Sequence, residues 1–340
     1  MKVCLLGEFF GYLDEGMRVA SVHLAKELSK SSQILQLDLR HAFSKDFWKS
    51  LNNFKPEIVH YLHGPTARSF LLLKTISLKH REAKTVISAT RPSFSSVFKI
   101  LVPLVKPSVI LTMSYQTREA FRELGCKTEF LPCGVDVERF RPATIDLKCK
   151  LRKKYGIEQN KFVILHVGSI KRERNVQLLS KLQNEENQVI IVGARSVGTD
   201  PYLKKQLGKS GCWIWANYFK RIDEIYALSD CYVYPTISKK SFLGRSVTAS
   251  IEMPLSVLEA MACNLRVVST RFGSLPEVFK EGNGLTFAEE EEFESAIETV
   301  KNIQKVETRD KVLEYSWKNV AERLQQIYQF LLSNDGEAKD

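Results

Sequence analysis

The sequence predicts an α/β fold made of two doubly wound parallel sheets, and three observations carry that prediction. Short apolar runs alternate with helix-like segments along most of the chain, and strand, helix, strand alternation implies parallel strands wound on both faces. The alternation runs twice, on either side of a stretch at 131–142 that is marked by proline, glycine and charge. At 340 residues, 44% of them apolar, the chain can bury two cores of ordinary domain size.

In the first half, strands are expected at Lys2–Leu6, Gln33–Leu37, Glu57–Tyr61, Lys84–Ala89, Val109–Met113 and Thr128–Leu131, with helices such as Val19–Leu28 and Thr117–Leu124 between them. The second run is expected at Phe162–Val167, Gln188–Val192, Cys212–Trp215, Cys231–Tyr234, Arg266–Thr270 and Leu285–Phe287. No residue-level repeat links the halves, so the duplication is one of architecture. Pro254 reads as a first helical position, with Ser256 in the first turn and an apolar run behind it. Glu259 then sits one and a half turns into a helix. If the helical phase extends back, Glu252 and Glu259 are seven residues apart, within about 20° of one face, beside free N–H groups that suit an anion. A helix-forming segment with one solvated glutamate is the alternative.

Composition excludes several classes. Seven cysteines, odd in number and without a C-x-x-C pair, indicate neither a disulfide framework nor a zinc site, and a reducing cytosol fits them. Met1–Gly7 is a strand pattern rather than a leader, and no run approaches the 18 apolar residues of a membrane span. The net charge of +11 is unevenly placed: residues 66–108 hold eight Lys or Arg against Glu82 alone, interleaved with Phe70, Leu71, Phe94, Phe98 and Ile100. This stretch is either a pair of ordinary helices with basic solvent faces or a surface that settles on anionic lipid. Nucleic acid is not the expected partner, because no basic recognition helix or RNA-binding signature accompanies the charge. A nicotinamide oxidoreductase is disfavoured by the missing G-x-G-x-x-G.

Glu252–Cys263, together with Arg266–Thr270, Gly273-Ser274-Leu275-Pro276-Glu277-Val278 and Gly282-Asn283-Gly284-Leu285, resembles the donor-binding region of the family four retaining glycosyltransferases. The resemblance implies the GT-B fold, two Rossmann-like doubly wound parallel-sheet domains facing a cleft. It also implies transfer of a sugar from a nucleoside diphosphate with retention. Leu131–Pro142 resembles the family's interdomain motif, with Cys133 where asparagine is usual, and Tyr315–Leu331 resembles its terminal helix. The expected domains are therefore 1–141 on the acceptor side, 142–312 for the nucleotide sugar, and 313–340 as a helix crossing back.

Within that resemblance, Gly168–Val176 matches the diphosphate loop. Arg174 falls on the usual lysine position, while Ser169 stands where arginine is usual; the nearby Lys171 and Arg172 either compensate or are solvated loop charges. Glu259 matches the second glutamate of Glu-x7-Glu, which typically holds the donor ribose; the first falls on Ile251, with Glu252 next door as a sugar contact or an ordinary loop glutamate. The implied catalytic residues are Arg174, Glu252 and Glu259. The implied donor contacts are Gly16 of the opening loop, Ser169, Lys171, Arg172, Arg174, Pro254, Leu255, Ser256 and Glu259, with Arg245 from the loop 237–250. The sugar and acceptor side is assigned to Arg18, His60, His63, Thr90, where the family often has histidine, and Arg91. No metal or cofactor is expected.

The implied activity moves a hexose from a UDP- or GDP-sugar to a hydroxyl of a glycan or lipid-linked glycan, in the cytoplasm or peripherally on the inner face of a membrane. Ile251, Ser169 and Thr90 keep a second reading open: a GT-B protein that binds a nucleotide, glycan or protein partner with little or no chemistry.

Overall fold

The computed structural model describes residues 1–91, 100–195, 198–237 and 250–333. The first sheet holds β1 (Lys2–Gly7), β2 (Gln33–Asp38), β3 (Ile58–Gly64), β4 (Lys84–Ala89), β5 (Val109–Thr112) and β6 (Thr128–Phe130), all parallel, in the order β2-β1-β3-β4-β5-β6. The second holds β7 (Phe162–Val167), β8 (Asn187–Val192), β9 (Trp213–Trp215), β10 (Cys231–Tyr234), β11 (Arg266–Ser269) and β12 (Leu285–Phe287), also parallel, in the order β12-β11-β10-β7-β8-β9. Strands such as β3, β4 and β8 are buried on both faces, which is why they read as continuous apolar runs rather than alternating ones. All twelve expected strands are present, with ends that differ by at most three residues; β3 continues through His63 to Gly64.

Among the described residues the α-helices are α1 (Gly16–Leu28), α2 (Lys45–Phe54), α3 (Ala67–Lys79), α4 (Tyr115–Glu123), α5 (Ile145–Tyr155), α6 (Pro201–Lys209), α7 (Ile222–Leu228), α8 (Leu255–Ala262), α9 (Leu275–Val278), α10 (Phe293–Lys301) and α11 (Trp317–Ser333). Each sheet reverses its winding at one place, between β1 and β3 in the first and between β7 and β10 in the second. Open parallel sheets bind ligands beyond the carboxyl ends of strands at such points. The loops after β1 and β7 face one another there, which fixes where a cleft can form.

α11 buries Trp317, Val320, Ala321, Leu324 and Tyr328, a helical stripe, in a core shared with Leu24 of α1, Val3 of β1 and Leu258 of α8. Trp317 leaves no room at Gly134, where a Cβ would stand 2.4 Å from its ring, and the Tyr315 carbonyl accepts the Val135 N–H at 2.9 Å. The Tyr328 hydroxyl lies 2.6 Å from His60 Nδ1, whose Nε2 lies 2.7 Å from the Ser88 hydroxyl. The helix that follows the second sheet thus packs on the first.

One local expectation is corrected. Pro254 caps α8 in an extended conformation (ψ 123°) and is not its first residue, so helical phase does not reach back to Glu252.

Candidate active site in the cleft

A cavity of about 420 Å³ lies between the two lobes, in the size range of small-molecule sites. Its first-lobe wall comes from Asp14, Glu15 and Gly16 after β1 and Arg91 after β4. Its second-lobe wall comes from the loop after β7, from residues 217–219 after β9, and from the start of α8. A Cβ at Gly16 would stand 3.1 Å from Ile251 and 3.6 Å from Leu255, so the bare glycine sets how closely α1 approaches α8.

Beyond β7 the chain passes Gly168 and Ser169 into a one-turn 3-10 helix at Arg172–Arg174, which Asn175 ends in the left-handed region at φ 56°. With three residues per turn, consecutive cations point to different sides. Arg174 points into the cavity and its Nη1 bonds the Ser250 hydroxyl, which lies 2.7 Å from the Tyr234 hydroxyl. Arg172 turns outward, over the Tyr202 ring at 5.5 Å and 4.0 Å from Asp200, so it is not a cavity residue. Lys171 and Ser169 line the cavity.

α8 starts at the cavity, with Pro254, Leu255 and Ser256 on its wall and no side chain capping the first turn among the described residues. Its first N–H groups therefore face the space where an anion can be held. One turn on, Glu259 reaches the same cavity and accepts a 2.8 Å hydrogen bond from the Tyr226 hydroxyl. Burial pushes the Glu259 carboxyl up to about 7, against the pull of that bond. Tyr226 is an element that sequence reasoning missed; in α7 it reads as one more core aromatic.

Glu252 departs from its expected role. It is 2% exposed, outside the cavity, and its Oε1 accepts from the hydroxyls of Ser114 (2.9 Å) and Thr117 (2.6 Å) at the start of α4. Its backbone bridges the lobes as well: its N–H donates to Thr90 O, and its carbonyl accepts from Ser274 N, both at 3.0 Å. With no helix to carry it round, the side chain one residue past Ile251 points away from the cavity, and Ile251 lines it instead. Burial raises the Glu252 carboxyl to about 7.

The sugar-side residues divide. Arg91 lines the cavity. His60 is fully buried between Tyr328 and Ser88, where desolvation lowers its pKa to about 3, so it is an internal tie and not a cleft residue. His63 lies 2.8 Å from the Ser21 hydroxyl, away from the cavity wall. Arg18 folds back on its own loop, donating to Tyr12 O at 2.7 Å and Glu8 at 3.2 Å. Thr90 donates to Gly64 O at 3.1 Å and borders a separate void of about 30 Å³. Arg245, with Lys239 and Lys240, lies outside the described residues.

His166, in β7, was not among the expected site residues. It is 2% exposed and lines the cavity. At the cleft mouth, Tyr12 of the first lobe lies 5.0 Å from Tyr218 of the second, with Arg195 5.1 Å over the Tyr12 ring.

Two such sheets across a cleft, with cations and a helix start on one wall, define the GT-B class. Solved GT-B structures superpose over nearly the whole chain: sucrose-phosphate synthase from Thermosynechococcus elongatus gives a TM-score of 0.77 at 13% identity over 98% of this chain and 99% of that one. Anabaena Alr3699/HepE, in complex with UDP-glucose, gives 0.69 at 16% identity over 99% of this chain and 100% of that one. The profile of glycosyl transferases group 1 matches residues 148–319, just over half of the 340 residues, and the chain belongs to that family.

Among curated relatives, sulfoquinovosyl transferase SQD2 of Arabidopsis thaliana is 30% identical over 44% of this chain and 27% of its own length. The alpha-galactosylglucosyldiacylglycerol synthase of Streptococcus pneumoniae is 24% identical over 50% and 45%. A GDP-mannose-dependent phosphatidylinositol monomannoside mannosyltransferase of Mycolicibacterium smegmatis is 25% identical over 51% and 47%. The matched region thus spans less than half the length of each of these relatives.

Proposed function

We infer that this chain is a retaining glycosyltransferase that moves a hexose from a UDP- or GDP-sugar to a hydroxyl of a glycan or lipid-linked glycan. The observation that carries the reading is that Arg174, Glu259 and the uncapped start of α8 share one cavity. Arg174, Lys171 and the α8 N–H groups hold the diphosphate. As the sugar–phosphate bond breaks, negative charge grows on the leaving oxygens, and cations and dipoles already aimed there stabilise it without a metal. Glu259, in its ionised form, accepts from the donor ribose. The leaving phosphate oxygen takes the proton of the attacking hydroxyl on the same face, and the closed cleft keeps water from competing.

A panel of nucleotide sugars, scored by released diphosphate with and without acceptor, tests the reading: release from at least one donor, lost in Arg174→Ala, supports it. The second reading, a GT-B protein that binds without turnover, is favoured by Ile251 on the cavity wall where the family pattern has a glutamate, with Glu252 turned away. Calorimetric binding of a diphosphate with no release from any sugar conjugate would favour it.

The acceptor reading includes an anionic membrane surface. The exposed face of α3 carries Arg68, Leu71, Lys74, Leu78 and Lys79 at helical spacing, and Ile100 and Leu104 of the same basic stretch are exposed as well. Phe94, Phe98 and Lys99 lie outside the described residues. Among the described residues no helix is long and apolar enough to cross a membrane. Apolar side chains flanked by cations suit the interface of an anionic leaflet, and two of the relatives are named for work on a diacylglycerol and a phosphatidylinositol glycolipid.

A further inference from the structure

We propose that His166 recognises the donor: its Nε2 accepts a hydrogen bond from a hydroxyl of the bound sugar nucleotide, a role that rests on the function inferred above. The imidazole sits one residue from the carboxyl end of β7, on the cavity wall, with its ring stacked 6.3 Å from Tyr232. Its Nδ1 lies 2.9 Å from the Val233 carbonyl of β10. A carbonyl can only accept, so Nδ1 carries the proton and Nε2 presents a lone pair.

That contact ties β7 to β10 at the point where the sheet reverses its winding, and it accounts for half of the ring. It leaves Nε2 unexplained, buried and without a hydrogen-bond partner among the described residues. Buried acceptors in native proteins are nearly always met by a donor, and an orphan at a cavity wall marks the place where a ligand supplies one. The bare Gly168 leaves space beside that atom: a Cβ there would stand 3.2 Å from Nε2 and 3.6 Å from Cε1.

The donor group is a hydroxyl rather than phosphate. Burial, with the positive charge of Arg174 adding to it, lowers the imidazole to about 4, so at neutral pH the ring is uncharged and Nε2 only accepts. Phosphate oxygens are acceptors too and pair instead with Arg174 and Lys171. A sugar nucleotide brings ribose and sugar hydroxyls as donors directly on either side of its diphosphate, whereas the base N–H groups lie beyond the ribose.

Calorimetry with UDP and GDP, with the sugar conjugate of whichever binds, and with its 2′- and 3′-deoxyribose analogues, is run on the wild type, His166→Phe and Gly168→Ala. Both variants should weaken binding by about three- to tenfold, the scale of one neutral hydrogen bond. The loss should vanish for the single analogue that lacks the contacted hydroxyl. A loss restricted to the sugar conjugate assigns the sugar; one missing only from a deoxyribose analogue assigns the ribose. Equal losses on every ligand mean a structural role and overturn the proposal, as does unchanged affinity in His166→Phe. Titration in buffers of different ionisation enthalpy adds a check: proton uptake on binding that disappears with His166 means an imidazolium on phosphate, and also overturns it. If the wild type binds neither diphosphate, the parent reading falls as well; if it binds and His166→Phe binds equally, only this assignment falls.

Discussion

Replacing Glu252 by glutamine isolates a proton that the folded chain holds between its lobes. The folded carboxyl sits near 7 against an ordinary value of 4.5, because burial outweighs the Ser114 and Thr117 hydroxyl bonds. Between those values the folded state keeps a proton that the unfolded state has released, so stability falls as pH rises through this window. That displacement is worth about 3 kcal/mol well above pH 7, and about 2 to 3 kcal/mol of it develops between pH 5 and pH 8. Glutamine keeps an oxygen for the two hydroxyls and cannot ionise, while its amide replaces Oε2, which has no hydrogen-bond partner among the described residues. Urea unfolding of wild type and Glu252→Gln at pH 5 and pH 8 reads the difference, since other titrating groups, Glu259 included, cancel. The wild type should lose about 2 to 3 kcal/mol more than the variant on going to pH 8. Parallel losses in the two proteins would refute the reasoning.

Four further outcomes are expected. Arg174→Ala should lower turnover at least about a hundredfold, the scale of losing a charge aimed at a developing anion, with Arg174→Lys between it and wild type in single-turnover assays. Nucleoside diphosphate affinity should fall as pH drops from 8 to 6, because Glu259 gains a proton near 7 and loses the charge that strengthens the bonds it accepts; Glu259→Gln should bind at least about tenfold more weakly and lose that dependence in calorimetry. Tyr328→Phe leaves His60 Nδ1 without its partner and should cost about 1 to 3 kcal/mol, measured by urea midpoint. The chain should sediment with anionic vesicles at low salt and be released by about 0.5 M salt, and Leu71→Glu with Leu78→Glu should abolish pelleting without changing turnover on a soluble acceptor.

Much of the fold was legible because a parallel strand covered on both faces needs an unbroken apolar run, and Val163–Leu165 or Val189–Val192 has no other use. Glu259 was legible through the resemblance, because its place behind an apolar helix start matches the second glutamate of the family pattern. Glu252 was not: reading it onto the helical face required phase to continue through Pro254, and an extended proline ends that phase at once. Arg174 was told from Arg172 by the family pattern alone, since both are neighbouring loop cations; in the fold it is the tight turn between them that sends Arg174 inward and Arg172 out. His60 and His166 are both polar residues inside apolar strands, a pattern that marks burial but cannot tell an internal tie from an atom left facing a cavity. A polar residue two positions before Gly168 was the available signal for His166.

The seating of α11 on the first lobe bears on how the chain matures. Leu24 of α1 and its neighbours share a core with Trp317, Val320 and Leu324, residues joined long after it during synthesis. The first lobe therefore emerges from the ribosome with a greasy flank bare, and it stays so until the whole of the second lobe has followed. Holding that flank clear of other chains falls to whatever attends the nascent polypeptide, and removing 317–333 should leave the earlier lobe, rather than the later one, prone to clump.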